Sequence, residues 1–85
     1  MKIEERKFND STRHNIYFYG TKDDGTKYSI VNIGELMKTS TAYQEMKNAG
    51  MFMGWEAMLI KADGTLEYDE QERADSLEEL IILLN

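Results

Sequence analysis

The chain has no cysteine and no proline among its 85 residues, and only one histidine. Without cysteine, neither a disulfide nor a thiolate metal site can supplement the core. Without proline, no strand or helix is interrupted by that residue. Long hydrophobic runs are also missing. The longest is residues 80–84, far short of the ~20 apolar residues that span a bilayer. Residues 1–8 are charged and carry no apolar signal segment. The Asn9-Asp10-Ser11 sequon is therefore read as chance. Together these absences lead us to expect a cytoplasmic protein without a membrane partner.

The sets of residues that carry chemistry are equally sparse. His14 has no cysteine partner, and Ser11 near it sits in no strand–elbow–helix context, so a nucleophilic triad is not expected. Asp23-Asp24-Gly25 lacks the spacing and distal glutamate of a calcium loop. The glycines are scattered and form no phosphate-binding loop. We expect no cofactor, no metal and no enzymatic activity. A catalytic pair of carboxylates stays open, because any two acids can converge in space.

What the chain does have is acid, unevenly placed. The formal charge is −6. Residues 1–48 hold eight Lys/Arg against seven Asp/Glu, and residues 49–85 hold two against nine. The excess is densest at Glu67, Asp69, Glu70, Glu72, Asp75, Glu78 and Glu79. Net acidity opposes binding to a phosphate backbone, so nucleic acid is not expected as a direct ligand.

Eighty-five residues make one domain over 1–85, which buries roughly 60–65% of its unfolded surface. Two Asp-Gly pairs flanked by strand-like runs give the strongest local signals. They share a pattern, Lys22-Asp23-Asp24-Gly25-Thr26 against Lys61-Ala62-Asp63-Gly64-Thr65. A first, weak edge strand is expected over residues 2–8, with turn residues at 9–12, and a strong strand over 15–21. Placing Asp24-Gly25 at the centre of a two-residue turn sets Tyr19 opposite Ile30, Phe18 opposite Val31 and Tyr17 opposite Asn32. One face then carries Ile16, Phe18, Val31 and Ile33 as core, and the other Tyr17, Tyr19, Tyr28 and Ile30.

Residues 35–48 read as a helix, weakened by Thr39-Ser40-Thr41 and stopped at Gly50. In the second hairpin Leu59 is expected opposite Tyr68, with Trp55, Ala57, Leu59, Leu66 and Tyr68 inward and Glu56, Glu67 and Asp69 in water. Residues 69–75 read as a loop or as the first turns of a long helix. Ser76 and Glu79 form a capping box. Leu77, Leu80, Ile81 and Leu84 then fall on one helical stripe, widened by Ile82 and Leu83, which predicts a deeply docked terminal helix.

The expected fold is α+β, a mainly antiparallel sheet in the order β-β-β-α-β-β-α with both helices on one face. The repeated turn is either the trace of a degenerate ββα duplication or chance convergence on Asp-Gly. The expected function is a small protein-binding module: an inhibitor, immunity or accessory regulatory protein. It would meet a basic protein surface through the acidic second half. The candidate partner-binding residues are Glu67, Asp69, Glu70, Glu72 and Asp75, together with the tyrosines Tyr17, Tyr19 and Tyr28. The alternative is a nucleic-acid-linked role, in which the acidic face imitates nucleic acid or the tyrosine face stacks on single strands. Oligomeric state is not readable from the sequence.

Overall fold

The computed structural model describes residues 1–6 and 16–85. The readings placed on residues 7–15, including His14, Ser11 and the sequon, lie outside the described residues. The elements are β1 (Lys2–Glu5), β2 (Tyr17–Thr21), β3 (Lys27–Asn32), α1 (Ile33–Met37), α2 (Tyr43–Asn48), β4 (Trp55–Ile60), β5 (Leu66–Ala74) and α3 (Leu77–Leu84). The strands form one antiparallel five-stranded sheet in sequence order, β1-β2-β3-β4-β5. The fold is α+β, as the alternation and turn signals predict, with short helices after β3 and at the C terminus.

The two Asp-Gly turns have the same construction. Lys22 N–H donates to the Thr26 carbonyl at 2.9 Å and Gly25 N–H to the Lys22 carbonyl at 2.9 Å. In the second turn Lys61 N–H donates to Thr65 at 2.8 Å and Gly64 N–H to Lys61 at 2.9 Å. Gly25 and Gly64 take φ of 90° and 87°, a left-handed conformation that glycine adopts without a Cβ penalty. An aspartate steadies each turn: Asp24 Oδ1 accepts from Thr26 N–H at 2.9 Å, and Asp63 Oδ1 from Thr65 N–H at 3.0 Å.

This is a loop closed by one residue more than the two-residue turn expected from the sequence, with a single glycine at positive φ. The extra residue shifts the register by one. Tyr17 pairs with Val31, Phe18 with Ile30 and Tyr19 with Ser29. A one-residue slip moves a strand's side chains to the opposite face. Tyr28 and Ile30 therefore join Phe18 on the core side, and Val31 joins Tyr17 and Tyr19 outside. Ile33 is the first residue of α1, not a strand residue.

The core follows this register. Ile30 pairs with Ala57, and Tyr28 with Leu59. Ile30, Ala57, Ala74, Leu80 and Leu84 form the buried cluster, with Met1, Ile3, Phe18, Tyr28, Trp55 and Leu77 packed against it. Phe18 and Trp55 meet with ring centroids 5.7 Å apart and planes tilted by 49°.

The helix expected over 35–48 is two short helices, separated by the segment containing Thr39-Ser40-Thr41, and neither contains a buried residue. Asn32 caps α1, its Oδ1 accepting from Glu35 N–H at 3.2 Å. The docked helix is α3. Ser76 is its N-cap, accepting from Glu79 N–H at 3.2 Å. Leu80 and Leu84 are buried, and burying each contributes about 1.5–3 kcal/mol. The wide apolar arc does not dock in full, since Ile82 and Leu83 are 75% and 56% exposed. An eight-residue helix lying on one sheet presents a narrow stripe to it, and these residues fall outside that stripe.

Candidate functional site

The acidic residues gather on β5, which forms one edge of the sheet and pairs with β4 alone among the described strands. The segment left open between loop and helix is strand through Ala74. Its pairing is irregular. Ile60 faces Leu66 and Leu59 faces Glu67, but Met58 faces Gln71, Ala57 faces Glu72, Glu56 faces Arg73 and Trp55 faces Ala74. Tyr68, Asp69 and Glu70 therefore have no partner on β4. They form a bulge, which bends an edge strand and re-aims its side chains.

Local hydrogen bonds close the bulge. Asp69 N–H donates to Glu67 Oε1 at 3.2 Å, and Gln71 Nε2 donates to the Tyr68 carbonyl at 2.9 Å. Tyr68 is 66% exposed. Expected inside with Leu59, it lies outside because this hairpin also slips by one residue: Leu59 pairs with Glu67 and Ile60 with Leu66, so the parity of Tyr68 has changed before the bulge begins. Leu66, also expected inside, pairs with Ile60 on the outer face.

Asp69, Glu70, Glu72 and Asp75 are exposed around and beyond the bulge, and Glu67 is half-buried at its start, 3.5 Å from Lys61 Nζ. The one base on the strand, Arg73, faces the other way electrostatically. Its Nε donates to Glu56 Oε2 at 2.7 Å, and its guanidinium carbon lies 5.2 Å from the centre of the Phe52 ring. Glu56, expected in water, is only 6% exposed. Arg73 neutralises it, and pairing with a guanidinium is what makes a buried carboxylate tolerable. With Arg73 committed to Glu56, the acids of the edge keep their charge uncompensated by it.

The tyrosines expected to share one face do not. Tyr17 and Tyr19 lie on the outer face and Tyr28 on the core face, as the register dictates. Tyr19 faces Glu4 and Ser29, with the Arg6 guanidinium 5.3 Å from its ring centre. Beside it a shallow depression of about 300 Å³ is lined by Arg6, Tyr19, Ser29, Ile60, Gly64 and Leu66. Among the described residues no three His, Asp or Glu side chains converge as metal ligands. The structure thus places Glu67, Asp69, Glu70 and Glu72 on β5 with Asp75 just past its end, and separates Tyr28 from Tyr17 and Tyr19.

Tyr68 is the residue that sequence reasoning missed as a surface feature. A signal existed: the apolar–polar alternation of the hairpin stops at Leu66, and Tyr68 is the sole aromatic residue in the polar run 67–73. Comparison with protein-family models, with curated proteins and with solved structures finds no match for this chain.

Proposed function

We propose that this chain is a small non-catalytic protein-binding module that meets a basic surface of a partner through the edge and bulge of β5. An inhibitor, immunity or accessory regulatory role in the cytoplasm fits this reading. The observation that carries it is the bulge: Tyr68 stands outside the ladder with Asp69 and Glu70, in a row of acids that continues through Glu72 and Asp75. Solubility alone asks for the carboxylates but not for an exposed aromatic ring among them. Tyrosine offers about 150–250 Å² of contact area with a polar tip, and such anchors dominate interface energetics. The surrounding carboxylates steer a basic partner and fix its register. Bulges and charges also discourage strand addition at an edge, so recognition here runs through side chains.

The same reading treats the twin turns as the trace of a ββα duplication with the helices on one face. Their common construction, down to the aspartate–threonine hydrogen bonds, supports this.

The test is affinity capture from the cells that make the protein, in a salt series, followed by identification of what is held. Wild type retains a basic protein at low salt and loses it as salt rises. Replacing Glu70, Glu72 and Asp75 together by lysine abolishes retention, and Tyr68→Ala reduces it at every salt concentration. Retention unchanged in both variants would overturn the reading. If added nucleic acid displaces the captured protein, the acidic row acts as a nucleic-acid mimic.

A further inference from the structure

The two edges of the sheet differ in kind, and the difference points to self-association at one of them. β5 carries a row of acids and a bulge, so a second β5 laid against it would meet like charge and a broken ladder. β1 is the opposite. It pairs with β2 in unbroken register, Lys2 to Thr21 through Glu5 to Phe18. Its far side has no strand neighbour among the described residues. On its outer face Lys2 and Glu4 stand exposed, 2.7 Å apart, and on its core face Met1 and Ile3 pack at the rim of the buried cluster.

We infer that β1 pairs antiparallel with β1 of a second copy, about a two-fold axis at Ile3, joining two five-stranded sheets into one. Residues directly opposite each other in an antiparallel pair point to the same face. Registers that keep both cores on one side are therefore centred on one residue of β1: Lys2, Ile3, Glu4 or Glu5. Centring on Lys2 sets two lysines opposite each other, and centring on Glu4 or Glu5 sets two glutamates opposite each other. Only the Ile3 register sets Lys2 against Glu4 of the second copy, and it does so twice by symmetry. The resulting cluster alternates in sign, the two Ile3 side chains meet at the axis on the core side, and Met1 lies opposite Glu5 of the second copy. The contact is a four-residue strand on each side, well below the area of a stable interface, so association is weak and needs chain concentrations in the high-micromolar range. Both β5 edges stay free in such a dimer, so the inference does not depend on what β5 binds.

Two measurements on the full chain test it. In sedimentation equilibrium up to millimolar concentration the wild type self-associates. Lys2→Glu weakens this association at least fivefold, and the exchange Lys2→Glu with Glu4→Lys restores it. Because the chain has no cysteine, introduced thiols report register directly. Opposite residues lie about 4.5–5.5 Å apart between Cα atoms, within reach of a disulfide. A mixture of the Lys2→Cys and Glu4→Cys chains crosslinks under mild oxidation faster than either chain alone. Both positions are exposed, and an unchanged melting temperature shows that the variants remain folded. A wild type that stays monomeric overturns the inference. So does a Lys2→Cys or Glu4→Cys chain that crosslinks with itself as fast as the mixture.

Discussion

Arg73 donates a hydrogen bond to Glu56 at 2.7 Å directly across the β4–β5 ladder, just beyond the bulge. This pair holds the second part of β5 in place after its register has shifted. Glu56 is nearly covered whereas the Arg73 side chain is half-exposed. Removing the base therefore costs more than trimming the acid. Arg73→Ala strands a buried carboxylate and should lower stability by about 1–3 kcal/mol. Glu56→Gln keeps an oxygen to accept the bond and should cost less. Urea unfolding of the two variants checks the order.

The terminal helix gives a sharp internal contrast. Leu80 is 0% exposed at the centre of the core, and Ile82 two positions on is mostly in water. Leu80→Ala should cost about 2–5 kcal/mol, as for other buried leucines, a large share of a small domain's stability. Ile82→Ala should stay within about 0.5 kcal/mol. Equal thermal shifts for the two would mean that α3 docks on a different stripe.

The limits of the sequence reading follow from these elements. The succession of strands along the chain and the Ser76 cap are legible, because alternation, Asp-Gly pairs and the Ser–Glu spacing each have a local physical cause. Register is not. Asp-Gly suits either a two-residue turn or a loop one residue longer with glycine alone at positive φ, and nothing in Lys-Asp-Asp-Gly-Thr chooses between them. That single residue decided which tyrosines were exposed and put Tyr28 in the core. The bulge was hidden for a related reason. Residues 67–72 are polar apart from Tyr68, so a break in alternation leaves no mark there. Locating the acidic row did not need the register, because charge density along the chain is read from composition alone.

The twin turns should respond alike to the loss of glycine. An added Cβ at Gly25 or Gly64 meets no atom within 4 Å, so backbone conformation alone sets the cost. Gly25→Ala and Gly64→Ala should each destabilise by about 1–2 kcal/mol. Their melting temperatures should fall together, and unequal shifts would argue against a shared turn geometry.

The same turns make a prediction in acid. Hydrogen bonds from the side chain and then the backbone of Thr26 hold the Asp24 carboxyl below its ordinary value of 3.8, and Thr65 does the same for Asp63. A carboxyl with a depressed folded-state pKa contributes stability that is complete above the unfolded value. That contribution is lost as pH falls through the folded one. Between pH 5 and 7 these two groups therefore leave stability flat, and below pH 3.8 they contribute to its decline. Replacing both aspartates by alanine should lower stability at neutral pH and make the decline below pH 3.8 shallower, measured by urea midpoints across the range.

The bulge itself can be removed cleanly. Glu67 is paired with Leu59, and Gln71 with the adjacent Met58. Deleting residues 68–70 therefore joins two correctly paired segments into a continuous ladder, with Glu67 and Gln71 already on opposite faces as a regular strand requires. The shortened chain should keep a cooperative melt and the hydrogen-exchange protection of β4, because no residue of the buried cluster is lost. It should also lose capture of a basic partner even though Glu72 and Asp75 remain, because Tyr68 and the acids beside it are gone. A shortened chain that unfolds would make the bulge a structural requirement. One that folds and still captures the partner would place recognition elsewhere on the edge.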